Sequence, residues 1–130
     1  MPSLPTQRTL AALRAAGYEV DISERYNHFS RKKNDLFGFI DLVAIRAGEI
    51  LGVQATGNEH GATRMRKIEA EPRAGLWLRA GGRIEVWSWD LRGARGKRKA
   101  WTLRRLAFTS HGWEELPSDV ATLEHAQETP

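Results

Sequence analysis

Residues 38–56 constrain this chain more than any other stretch. They read Gly38-Phe39-Ile40-Asp41-Leu42-Val43-Ala44-Ile45, then a short turn, then Ile50-Leu51-Gly52-Val53-Gln54-Ala55-Thr56. Two apolar runs rich in β-branched residues, joined across Ala47-Gly48-Glu49, predict a buried antiparallel hairpin. The first strand is expected over Phe37–Ile45 and the second over Ile50–Ala55. One acid, Asp41, interrupts the first run, and Gln54 lies opposite it on the partner strand. A carboxylate among Phe39, Ile40, Leu42 and Val43 is expensive unless it is paired or bound to a cation. Asp41 is therefore a functional-site candidate. The alternative is a local salt bridge, for instance to Arg46.

The elements around the hairpin follow from periodicity and breakers. Pro5-Thr6 opens a helix in which Leu10, Leu13 and Ala16 recur at helical spacing, and Gly17 ends it. Tyr18–Ile22 alternates as a strand, with Tyr18, Val20 and Ile22 on one face. Residues 23–35 are polar and basic and read as a loop. After Gly57-Asn58 a helix is expected over Glu59–Glu71, with Ala62, Met65 and Ile68 on one stripe and Pro72 as its stop. Leu76-Trp77-Leu78 suits either a strand or a short helix. Gly81-Gly82 turns the chain into a strand around Ile84–Trp89. A basic, glycine-containing loop (residues 92–99) and a strand over Trp101–Phe108 follow. The order helix, strand, strand, strand, helix, then one to three strands is an α/β fold with a mixed β-sheet flanked by helices. One domain over residues 1–116 and an acidic, flexible tail over 117–130 are expected. No internal repeat, GxGxxG or phosphate-binding P-loop is present.

Composition narrows the function classes. The chain has 130 residues, 41% of them hydrophobic, which suits one domain with a real core. It has no Cys, so disulfide scaffolds, thiolate zinc sites and thiol nucleophiles are excluded. No apolar run approaches the roughly 20 residues of a membrane helix. Met1–Thr6 lacks a charged start followed by an apolar run. A cytoplasmic location without membrane contact is the expectation. All 20 Lys and Arg, but only 11 of the 16 acids, precede residue 114, so that part carries +9. Such a charge points to a polyanionic partner, most often nucleic acid. Arg92, Arg95, Lys97, Arg98 and Lys99 cluster between Trp89 and Trp101, while Lys32, Lys33 and Arg66 form smaller basic sites. The tryptophans read as core or hairpin-pair residues, with base stacking as the alternative. His60 falls near the start of the second helix and reads as a surface residue.

The hairpin carries a resemblance. Phe39-Ile40-Asp41-Leu42-Val43-Ala44 and Val53-Gln54-Ala55-Thr56 resemble the two motif strands of the PD-(D/E)XK, or restriction-endonuclease-like, nucleases. Small Holliday-junction-resolvase-like and VRR-NUC-like domains share that core. The likeness spans about residues 6–90 and includes the order of elements. It implies a nuclease that hydrolyses phosphodiester bonds, in DNA in the first instance, with Mg²⁺ or Mn²⁺ as cofactor and a homodimer as the common assembly. By the resemblance Asp41 is a metal ligand and Gln54 stands where a second acid is usual. Asp35 and Glu24 are further acids that could restore charge. Thr56 stands where a lysine is usual, so the cation must come from elsewhere, with Lys67 and Arg64 as the first candidates and Lys33 as another. Gln7 stands near the place of a helical glutamate in resolvases. The Gln54 and Thr56 departures leave a second reading, a nuclease-fold nucleic-acid-binding module with weak or no catalysis.

Overall fold

The computed structural model of the protein describes residues 3–93 and 95–118. Helix α1 (Leu4–Ala15) is capped by Ser3, whose hydroxyl accepts from Thr6 N–H, and carries Pro5 in its first turn. Gly17, at φ +91°, turns the chain out of the helix into strand β1 (Glu19–Ile22). Residues 23–35 are not a plain loop. They form a small hairpin of β2 (Arg25–Asn27) and β3 (Lys32–Asn34). Its turn is set by the Asn27 side chain, which accepts from Phe29 and Ser30 N–H, a local bond that composition alone does not announce.

The central hairpin is present but starts later than expected. Strand β4 covers Leu42–Arg46 and β5 covers Glu49–Gly57. The residues before β4 are not extended. Phe37 and Gly38 both have positive φ, at 52° and 81°, and Leu36 bridges Ile40 across the turn they make. An apolar run thus reads as a longer strand than the backbone builds, because Phe39 and Ile40 are buried from a turn.

After β5 a 3₁₀ turn (Asn58–His60) leads into α2 (Gly61–Glu69), and α3 (Pro72–Arg79) follows. Leu76-Trp77-Leu78 is therefore helical, and Pro72 both stops one helix and opens the next. Three strands complete the sheet: β6 (Arg83–Arg92), β7 (Ala100–Thr109) and β8 (Gly112–Leu116). The strand order is β1-β4-β5-β6-β7-β8, with β5 and β6 parallel and the other neighbours antiparallel. The parallel step needs a crossover, which α2 and α3 supply.

Two cores hold the layers together. Leu13 of α1 and Ala16 at its C-terminal cap pack with Tyr18, Leu42, Leu51, Val53 and Trp87 on one face. Ile68 of α2 and Ala74 of α3 pack with Phe39, Ile40, Ile84 and Val86 on the other. Helices on both faces explain why β5 is buried over six consecutive residues rather than alternating. A charged pair lies within the sheet: Glu85 accepts from Arg105 and from Trp87 Nε1, both at 2.9 Å. Trp87 is core, whereas Trp101 is half exposed, paired across the ribbon with Leu91 and covered by Arg8. Glu114 and Glu115 lie on β8, and residues 119–130, most of the expected tail, lie outside the described residues.

Candidate metal centre

Asp41 stands where three strands meet. Its N–H donates to Val53 O at 2.9 Å, and its carbonyl accepts from Ser23 N–H at 2.7 Å and Glu24 N–H at 3.2 Å. These bonds tie the start of β4 to β5 and to the exit from β1, so the residue has little freedom. Its carboxylate accepts from Ala55 N–H at 3.1 Å. Arg46 does not serve it; that guanidinium bonds Glu49 at 2.5 Å and Ala16 O at 2.8 Å.

The turn at Phe37-Gly38 brings a second acid to it. Leu36 and Ile40 are bridged in antiparallel fashion, so Asp35 and Asp41 flank the turn on opposite sides. Glu24, at the root of β2, completes the group: one carboxylate oxygen from each of Glu24, Asp35 and Asp41 lies within 4.8 Å of the others. Asp35 is held by Lys67 of α2 at 2.5 Å and by the Gln54 amide at 3.4 Å. Lys33 lies 3.5 Å from Glu24. Ser3, Thr6, Lys33, Arg64 and Lys67 surround the acids in a cavity of about 190 Å³, room for an ion with several waters.

The electrostatics follow from burial. Asp41 is 5% exposed. Burial, with Asp35 beside it, pushes its carboxyl up to about 8. Asp35 is pulled the other way. Burial works against its charge, but hydrogen bonds from Asp41 and Lys67 outweigh it and hold its carboxyl below the usual range. Two adjacent carboxyls share one proton and one ammonium, the condition in which a divalent cation can replace the proton.

The residues fit such a cation. Oxygen ligands of one hard ion at about 2.0–2.6 Å lie no more than about 5 Å apart, which the three carboxylates satisfy with little movement. Gln54 supplies the independent sign. Its side chain is fully buried, its Nε2 donates to Asp35, and its Oε1 has no hydrogen-bond partner. A buried carbonyl oxygen without a donor beside an acid cluster is a ready ligand for a hard ion. Among the described residues the cluster Glu24, Asp35, Asp41 is able in principle to hold a divalent cation.

The other sequence candidates sort by position. Lys67 and Arg64 both reach the cavity, one on Asp35 and the other with a buried Nε that has no partner. Thr56 does not take part; it is buried and its hydroxyl donates to Gly57 O. Gln7 is exposed and does not line the cavity; Thr6 of α1 and its capping residue Ser3 do so instead, which sequence reasoning missed although the Ser-x-x-Thr start of the helix was visible. His60 is exposed and lies 3.6 Å from Glu59. Arg66 is exposed on α2 and bonds Thr63. Lys32 is exposed on β3. Arg92 pairs with Asp90, and Arg95, Lys97, Arg98 and Lys99 are exposed at the tip between β6 and β7. No helix among the described residues is long and apolar enough to cross a membrane.

The sequence matches no protein-family model and no curated protein. The site therefore has to be interpreted from its own chemistry.

Proposed function

We propose that this protein is a metal-dependent nuclease of the restriction-endonuclease-like kind, acting on DNA with Mg²⁺ or Mn²⁺. The observation that carries the reading is one constellation. Three carboxylates converge in a cavity that Lys33, Arg64 and Lys67 also line, and the buried Gln54, whose Oε1 has no hydrogen-bond partner, bonds one of those acids from behind. Acids alone would suit many cations. Acids ringed by three cations suit a cation together with an anionic substrate, such as a phosphodiester.

Glu24, Asp35, Asp41 and Gln54 would hold the ion, the last as a neutral ligand. A divalent ion bound there acts as a Lewis acid on a phosphoryl oxygen and makes a bound water a usable nucleophile near neutral pH. Lys67 replaces the cation that Thr56 cannot supply. With Asp35 engaged as a ligand, the Lys67 ammonium that now bonds it would be placed to meet charge developing on the phosphate. Arg64 offers the phosphate a donor that the protein itself leaves unused. The N-terminal end of α1, present through Ser3 and Thr6, favours an anion in the same place. Exposed cations at the β6–β7 tip would engage backbone phosphates away from the cut. Two copies would address two strands, and sedimentation of the free protein tests that pairing.

The deciding experiment is a cleavage assay of wild type and Asp41→Asn with Mg²⁺, with Mn²⁺ and with EDTA. The panel holds linear duplex, single-stranded, flapped and four-way-junction DNA, and RNA. Metal-dependent cleavage by wild type and its loss in the variant are expected. The amide can still accept from Ala55 N–H and donate to Asp35, so the variant should match the wild type in metal-free thermal stability. Cleavage by the variant at the wild-type rate overturns the reading. Salt-sensitive DNA binding without cleavage by either protein moves it to the binding-module alternative, which the absence of a lysine at Thr56 favours.

A further inference from the structure

The β2–β3 hairpin grows out of the site described above, to which it lends only Lys33. Glu24 immediately precedes β2 and Asp35 immediately follows β3. The two roots of the hairpin are thus two of the three clustered acids. Its strands pair Arg25 with Asn34, Tyr26 with Lys33 and Asn27 with Lys32. Its tip is shaped rather than slack: Asn27 Oδ1 accepts from Phe29 and Ser30 N–H, and Arg31 takes a left-handed φ of 56°. That geometry presents Phe29 fully to solvent, at 101% relative exposure. Tyr26 is half exposed, with its ring centroid 5.0 Å from that of His28 in an edge-to-face contact.

Exposed aromatics on so small an element contribute nothing to either core. The hairpin's acid-free sequence from Arg25 to Asn34 also carries Arg25, Arg31, Lys32 and Lys33. Aromatic faces interleaved with cations match a strand of nucleic acid, with bases for the rings and phosphates for the charges. In a fully paired duplex the base faces are already stacked on each other, so only an unpaired base can use Phe29. At about 3.3 Å per strand residue the tip reaches about 15 Å from the acids. That is about four nucleotides of a stacked strand.

We infer that the β2–β3 hairpin is a base-stacking finger, with Phe29 and Tyr26 receiving unpaired bases within about four nucleotides of the phosphate that enters the cavity beside Glu24, Asp35 and Asp41. The inference deepens the nuclease reading, on which it rests for the place of the cut, and it narrows the substrate class to DNA with single-stranded character beside that phosphate.

The test uses the full chain in EDTA, so that it does not depend on cleavage. Binding of a duplex carrying a three-nucleotide unpaired stretch is compared with that of the same duplex fully paired, with 2-aminopurine in the unpaired stretch. Wild type should bind the unpaired substrate more tightly and change the 2-aminopurine fluorescence. Phe29→Ala should lose about tenfold in affinity for that substrate, lose the fluorescence change, and bind the paired duplex as wild type does. Phe29→Trp should retain both. Equal losses on both substrates, no loss on either, or no binding of any DNA at low salt overturns the inference. A finger that stacks bases in a protein that never cleaves would separate this inference from the nuclease reading and leave it standing as a property of a binding module.

Discussion

At the residue scale, Lys67 carries the sharpest expectation after Asp41. It sits on α2, outside the hairpin, and bonds Asp35 at 2.5 Å. If it meets transition-state charge, Lys67→Met should lower the turnover of metal-loaded protein by about 10²-fold. Its Mg²⁺ affinity should not fall, because a competing cation has been removed. Lys67→Arg should recover part of the rate. Isothermal titration and single-turnover cleavage read the two effects separately. Tyr18 gives a pH dependence remote from the site. Burial, then the nearby Glu49, push its hydroxyl up to about 12, while the unfolded chain titrates near 10. The folded form therefore keeps a proton that the unfolded form loses. The stability linked to Tyr18 is complete below pH 10 and disappears between pH 10 and 12. Chemical denaturation should show wild type losing more stability over that window than Tyr18→Phe.

At the element scale, the tight turn before β4 does the assembling. Gly38 lies at φ +81°, and an added Cβ would come within 2.7 Å of Glu71 Oε1 at the start of α3. Gly38→Ala should cost about 1–2 kcal/mol through the left-handed backbone alone, read as a lower denaturation midpoint. Because the same turn sets Asp35 beside Asp41, the variant should also bind Mn²⁺ more weakly. A lower midpoint with unchanged Mn²⁺ affinity would separate the turn from the site. Phe37, also left-handed, is held there by its neighbours: its ring centroid lies 6.2 Å from that of Trp77, and Arg73 approaches the same ring. Strain of this kind is retained where the surroundings over-determine the backbone.

At the scale of the whole molecule, charge is spread along a path rather than gathered in one patch. The parallel register of β5 and β6 sends the C-terminal ends of both strands the same way, Gly57 opposite Trp89, and β6 runs on to Arg92. The β6–β7 tip thus extends past the end of β5 from which α2 departs. α1 links this ribbon to the cavity, since Thr9 accepts from Trp89 Nε1 while Arg8 covers Trp101. Replacing Arg95, Lys97, Arg98 and Lys99 with Gln should weaken DNA binding and flatten its dependence on log salt by up to about 3.6 in slope. The Mg²⁺ affinity of the variant should be unchanged, because none of the four lines the cavity. A salt slope equal to that of wild type would show that this tip stays out of the complex.

The sequence by itself determined the α/β class, the central hairpin, the helices on either side of it and Asp41 as the acid out of place. Those features are local: they rest on periodicity, breakers and the cost of a carboxylate in an apolar run, all visible within ten or so residues. Gln54 was legible for the same reason, as the residue opposite Asp41 across a short turn. The other site residues could be named as candidates by position, but their assembly around Asp41 could not be read. Glu24 and Lys33 come from a stretch that reads as polar loop, and Asp35 from a point where the apolar run disguises a turn as strand. Their approach to Asp41 depends on two left-handed residues and on hydrogen bonds from Ser23 and Glu24 to the Asp41 carbonyl. Lys67 and Arg64 reach the cavity only because α2 crosses back over the sheet on its way from β5 to β6. Whether they could stand in for Thr56 was a question of distance, and tertiary packing alone sets distances between residues that lie far apart along the chain.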